Sequence, residues 1–294
     1  MKIKYMSQYE YFVDIMKTII PPINYDYALN RILSFLREKL SETGLEGLVI
    51  GLSGGVDSSV TAAIAVKALG SEKVHGLILP DSRTTPREDI DDAIELAEKL
   101  NIKYHLITID NIYDTIINTI PFYKENDIAN GNVRARIRMI ILYYYANVNN
   151  LLVCGTGDKS EILLGYFTKY GDGGVDMLPI GDLYKTQVRI MGKRLGLPEK
   201  IYLKPSSPRL WPGQTAENEL GISYEIIDTV LYYFIDQRYD IDRINMETGI
   251  PKDLVNKIIN RVFKNEHKRM TPLIPKIGGT TINNDWKMPY NAEL

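Results

Sequence analysis

Apolar residues gather in four short runs, at 48–52, 74–79, 104–109 and 151–154, each about the length of a buried strand. Helical patterns lie between them, and this alternation predicts an α/β fold: a Rossmann-like parallel sheet with helices on both faces. The clearest helix spans 86–100. Thr85 is placed to cap it, Pro86 suits its first position, Glu88 completes a capping box, and Ile90, Ala93, Ile94, Ala97 and Leu100 share one face. From Val60 to Leu69 almost every residue is apolar or small and the run stops at Gly70, the pattern of a helix covered on most sides. A third helix, 130–146, carries Arg134, Arg136 and Arg138 early and turns apolar in its second half. Later, Gly171-Asp172-Gly173-Gly174 and 205–213 have the Gly and Pro density of structured loops. Two C-terminal helical segments close the pattern at 223–237 and 251–267, the second with Leu254, Ile258, Ile259, Val262 and Phe263 on one stripe. The tail from Pro272 is expected to be irregular. With no internal repeat or low-complexity tract, residues 1–294 are expected to form a single domain.

Charge narrows the possible partners. The 294 residues hold 35 Lys and Arg against 37 Asp and Glu, a net charge of -2, so a protein built to grip nucleic acid or an anionic membrane is not expected. The apolar run 139–146 falls far short of the roughly 20 residues of a membrane span, and the polar, aromatic start is unlike a signal peptide. A single cysteine, Cys154, excludes an internal disulfide and a Cys-x-x-Cys pair, which fits a cytoplasmic protein. Cys154 sits in an apolar run and reads as a buried structural thiol rather than a nucleophile. His75 and His105, also within apolar runs, have no second ligand at metal spacing and are assigned to packing, as is Tyr143-Tyr144-Tyr145.

The candidate chemistry begins where the first apolar run meets the first helix, at Gly51-Leu52-Ser53-Gly54-Gly55-Val56-Asp57-Ser58-Ser59. Adjacent glycines let backbone amides approach an anion, the serines add hydroxyl donors, and the following helix presents its positive end, which together describe a phosphate cradle. Asp57 among such groups would repel a phosphate unless a hard cation such as Mg²⁺ lay between them. No lysine follows the glycines, so this is not the P-loop of kinases and GTPases.

Ser53-Gly54-Gly55-Val56-Asp57-Ser58 resembles the pyrophosphate loop of the ATP pyrophosphatases, which cleave ATP between its α and β phosphates to adenylate a substrate. Within that superfamily, 155–161 (Gly-Thr-Gly-Asp-Lys-Ser-Glu) and 165–179 resemble the signature of the NAD synthetase family, as do 131–139, 183–189, 208–215 and 267–269. The resemblance covers about 24–275 and is absent from the first twenty or so residues. It implies ATP contacts from Gly51, Leu52, Ser53, Gly54, Gly55, Val56, Asp57, Ser58, Thr156, Lys185 and Ser207, and Mg²⁺ ligation by Asp57 and Glu161. For deamido-NAD it implies Arg136, Lys169, Asp176, His267 and Lys268. Asp176 and Lys185 are the implied catalytic residues, Asp176 accepting the proton that ammonia loses or docking ammonia, and Lys185 stabilising charge on the departing pyrophosphate. An alternative role for Asp176 is to satisfy loop amides after Gly173-Gly174.

The resemblance further implies adenylation of the nicotinate carboxylate followed by attack of ammonia, and a homodimer with dinucleotide sites at its interface. No glutaminase domain fits before residue 48, so ammonia from solution or from a separate supplying protein is the expected nitrogen donor. Stretches around Glu88 and at 205–220 are candidate lids, and no ligand contact is assigned to Ala216-Glu217-Asn218-Glu219. The rival readings are another adenylating amidotransferase, a tRNA thiolase, disfavoured by one cysteine and no basic excess, and a non-catalytic ATP-binding regulator, disfavoured by Asp57 with Glu161.

Overall fold

A computed structural model of the chain describes residues 20–282 and 285–286. The four apolar runs form one parallel sheet in the order β3-β2-β1-β4, with β1 at Gly47–Gly51, β2 at Val74–Ile78, β3 at Lys103–Leu106 and β4 at Leu151–Val153. Leu48 pairs with Val74 on one side and Leu152 on the other, and His75 pairs with Lys103. The third run departs from expectation. Its strand stops at Leu106 and is the exposed edge of the sheet rather than a buried strand, because no fifth strand lies beyond it among the described residues.

Helices α1 (Tyr25–Thr43), α2 (Val56–Leu69) and α3 (Arg87–Lys99) cover one face. α4 (Asp110–Thr119) and α5 (Asp127–Asn149) cover the other. α1 is not among the helices expected from the sequence, although Asn24 caps it and Leu33, Leu36 and Leu40 are buried on one side. α2 is surrounded as expected, its residues from Val60 to Ala65 all buried, and it ends at Gly70. α3 begins at Arg87 without the expected capping box, because Thr85 Oγ1 instead accepts a bond from Asp81 N.

A second core lies beyond the sheet. It joins α6 (Lys159–Leu164), α9 (Ala216–Leu220), α10 (Tyr224–Leu231), α11 (Ile241–Thr248) and α12 (Lys252–Lys264), while α7 (Lys185–Arg194) and α8 (Glu199–Tyr202) pack with the first core. The expected helix 223–237 becomes α10 followed by one π-helical turn, Tyr232–Asp236. The expected helix 251–267 ends at Lys264, before the short α13 (Glu266–Arg269). Its buried stripe is Val255, Ile258, Ile259 and Val262, with Leu254 only partly covered and Phe263 63% exposed. Residues 271–281 carry no regular structure, in line with the expected irregular tail.

The strand order places the site. Successive strands leave β1 in opposite directions, β2 on one side and β4 on the other, so a crevice opens beyond the carboxyl ends of β1 and β4, where ligands bind in such sheets.

Candidate active site

β1 runs straight into the Gly/Ser loop, and β4 runs into 154–157, so both loops emerge at this crevice. The serines organise the first loop before any ligand arrives. Ser53 N and Ser53 Oγ both meet Ser58 Oγ, at 3.2 and 3.0 Å, Gly55 N donates to Ser53 Oγ, and Ser59 Oγ donates to Gly55 O at 2.7 Å. α2 starts at Val56 with no side chain capping it, so its first amides and positive dipole end are left for an anion. Gly54 is there for a different reason. Its φ is +72°, and an added Cβ would lie 2.2 Å from Asp89 O, so the loop rests directly on the first turn of α3.

A cavity of about 460 Å³ opens over the loop, a volume suited to a nucleotide-sized ligand. Gly51, Leu52, Ser53, Gly55, Val56, Asp57, Ser58, Thr156, Glu161, Ser207 and Lys268 all line it. Gly54 does not, being turned onto α3. Lys204, Arg209, Arg138 and Trp211 also line the cavity, although no ligand contact was assigned to any of them from the sequence. Ala216 and Glu219 line it too, from the stretch to which no contact was assigned.

Lys185 lies behind the wall rather than on it. It is fully buried, and its ammonium meets Asp57 Oδ2 at 2.6 Å, Glu161 Oε1 at 2.8 Å and Asp158 Oδ2 at 2.9 Å. Burial opposes the charge on Lys185, but the surrounding carboxylates raise its pKa well above the ordinary lysine range. Burial pushes Asp158 up to about 6, against the pull of Lys185, and raises Glu161 well above its usual range. Asp158 was missed in the sequence. It caps α6, taking Glu161 N at 2.8 Å, and Asp158-x-x-Glu161 is a capping-box pattern that was legible there.

The donor set suits Mg²⁺. Asp57 Oδ1 is buried and has no hydrogen-bond partner, leaving a hard oxygen available, and three carboxylates face a single lysine. Among the described residues no group of three or more carboxylate, His or Cys side chains forms a complete metal cage.

Four of the implied substrate residues stand apart from the cavity lining. Asp176 is carried beside β4 by the pairing of Met177 with Cys154; its Oδ2 accepts Val153 N at 2.7 Å and its Oδ1 accepts Tyr143 OH at 3.0 Å. The loop-satisfying alternative does not hold as stated, because Gly173 N and Gly174 N bond to Thr168 O and Gly171 O; Asp176 satisfies a β4 amide instead. Arg136, Lys169 and His267 form a separate chain, Arg136 donating to Lys169 O and Lys169 Nζ to His267 O at 2.7 Å. Lys268 donates to Gly165 O and Phe167 O, and burial lowers its pKa.

Loop 205–215 arches over the opening and is tied down at several points. Arg209 Nε donates to Asp89 at 2.7 Å, Arg134 donates to Leu210 O while pairing with the buried Asp81, and Gln214 binds both Leu210 N and Glu219. Ser207 Oγ donates to Gln214 O, so its hydroxyl serves this loop. Cys154 is buried with its thiol pKa raised by desolvation, the opposite of a nucleophile. His75 Nδ1 meets Tyr145 OH at 2.8 Å, and His105 packs edge-on against the same ring, in line with their assignment to packing.

Residues 28–272 match the family described as NAD synthase. The chain is 56% identical over 256 residues to the NH(3)-dependent NAD(+) synthetase of Staphylothermus marinus, covering 87% of this chain and 93% of that one. Among solved structures it resembles an NMN synthetase from Francisella tularensis, with a TM-score of 0.77 and 35% identity over 87% of this chain and all of that one. It also resembles an NH3-dependent NAD synthetase from Campylobacter jejuni in complex with nitrate, with a TM-score of 0.71 and 32% identity over 86% of this chain and all of that one.

Proposed function

The chain belongs to the NAD synthase family, and from that membership we propose that it is a ligase that amidates deamido-NAD with ammonia, converting ATP to AMP and pyrophosphate. The observation that carries this reading is the meeting of the Ser53–Ser58 loop with Asp57 and Glu161 at one cavity, with Lys185 and Asp158 paired to them directly behind its wall.

The loop amides and the start of α2 receive the ATP phosphates, and Ser53 and Ser58 supply hydroxyls there. A nicotinate carboxylate oxygen attacks the α phosphorus, the α–β bridging bond breaks, and pyrophosphate leaves with a mixed anhydride behind it. Lys185, whose charge its neighbours preserve, stabilises the departing pyrophosphate once a phosphate oxygen replaces one of its carboxylate partners. Asp57 and Glu161 are the proposed Mg²⁺ ligands, with Asp158 beside them, and the bound ion would offset phosphate charge as pyrophosphate departs. Ammonia then adds to the anhydride carbonyl, loses a proton, and AMP leaves. Asp176 sits beside β4 as the proposed dock or acceptor for that proton, its carboxylate already oriented by Val153 N and Tyr143 OH.

We read the protein as a single domain acting in the cytoplasm as a homodimer. Support for the dimer comes from α5, where Ile140, Tyr144 and Val148 recur every fourth residue and are 58%, 72% and 66% exposed. Arg136, linked to Lys169 and His267, continues the same face. A partner seated there would bring these cations to the dinucleotide, whereas within one subunit they lie apart from the cavity.

The test is to incubate the protein with ATP, Mg²⁺, deamido-NAD and ammonium, with nicotinic acid mononucleotide in a parallel arm, and to follow AMP and the amidated product. Equal amounts of AMP and NAD are expected, falling by about a hundredfold or more in Asp57→Ala. Product from the mononucleotide alone would reassign the substrate; neither product nor AMP would leave an ATP-binding regulator as the better reading.

A further inference from the structure

The mechanism does not use Asp228, a fully buried carboxylate on α10 that is absent from the cavity lining. Its Oδ2 accepts Thr186 N at 2.8 Å, and its Oδ1 accepts the hydroxyl of Ser160. Ser160 Oγ in turn accepts Lys185 N at 2.9 Å. Asp228 thereby holds two successive amides at the start of α7, one directly and one through Ser160. Both are first-turn amides with no partner inside their own helix, and that of Lys185 is buried.

Those attachment points belong to the machinery. Ser160 lies between Asp158 and Glu161 in the first turn of α6, and the amide it holds is that of Lys185 itself. α6 carries two of the carboxylates, α7 carries the lysine, and Asp228 ties the start of one helix to the start of the other. A hydrophobic residue at 228 could fill the space but would leave both helix starts free to slide. A shift of a few tenths of an ångström would then disturb ammonium-to-carboxylate distances that lie between 2.6 and 2.9 Å.

We propose that Asp228 is a positioning residue for adenylation: through Ser160 and Thr186 it sets the height of Lys185 against Asp158 and Glu161. The inference rests on the synthetase reading, and its test separates the two. In Asp228→Asn the amide oxygen still takes Thr186 N, but an NH₂ faces the Ser160 hydroxyl; Ser160→Ala removes the bridge to Lys185 and leaves Asp228 in place. Each is expected to lower kcat by about tenfold while KM for deamido-NAD stays within about twofold. Because both act on one path, the double variant should lose less than the product of the single losses. Amide exchange at Lys185 should be about tenfold faster or more in both Asp228→Asn and Ser160→Ala, without any substrate present, while Thr186, still bonded to residue 228, changes less.

Wild-type kcat in a folded Ser160→Ala, multiplicative losses, or a raised KM with kcat retained would overturn the proposal. If Asp228→Asn does not fold, Ser160→Ala decides alone on the same criteria. A wild-type protein that makes no NAD counts against the synthetase reading, and the exchange rates still decide the positioning claim.

Discussion

At the scale of single residues, the site depends on charges that are not free to stand alone. Lys185 would be costly to bury without its carboxylates, and Asp158 and Glu161 would be costly without Lys185, so removing either side leaves an uncompensated charge. Gly54 carries a different constraint, steric rather than electrostatic. Gly54→Ala would force a left-handed residue and drive a methyl into Asp89 O, so a loss of about 2–4 kcal/mol in denaturant unfolding is expected, with activity falling as the loop lifts from α3. Asp57 was legible as a candidate because a carboxylate inside a Gly/Ser loop is chemically conspicuous, and the structure places it on the cavity wall. Asp228 was not legible, since an acidic residue in a helical pattern gives no sign of burial until α6, α7 and α10 converge on it.

At the scale of elements, loop 205–215 is held by side chains from three directions: Asp89 from α3, Arg134 from α5, and Glu219 from α9. These ties hold the loop along the cavity wall. Arg209→Ala, which cuts the α3 tie and removes a cation from the cavity lining, is expected to raise KM for ATP by about three- to tenfold and to change kcat less; steady-state kinetics with ATP varied at saturating dinucleotide checks this. The helices were readable where one face was apolar, as in α3, and α2 was readable because it is apolar throughout. Their ends were less so. Thr85 turned to Asp81 rather than capping α3, a local hydrogen bond that competes with the cap and depends on the fold of the 81–85 turn.

At the scale of the whole molecule, one sheet carries two layers of helices and a second helical core closes the site from the far side. If α5 forms the proposed dimer face, Tyr144→Glu should shift the protein toward monomer by light scattering at micromolar concentration, and should weaken deamido-NAD more than ATP. An unchanged mass would remove the dimer proposal. The sequence by itself determined the parallel α/β alternation, the Gly/Ser loop with its acidic member, and family membership along most of the chain, because each is written in local pattern or in contiguous motif. Only the tertiary structure decided that β3 is an edge, that Lys185 sits behind its carboxylates with Asp158 among them, and that Arg136, Lys169 and His267 stand together outside the cavity. Those facts depend on which distant segments meet and on which charges water no longer reaches, and neither is encoded in spacing along a chain.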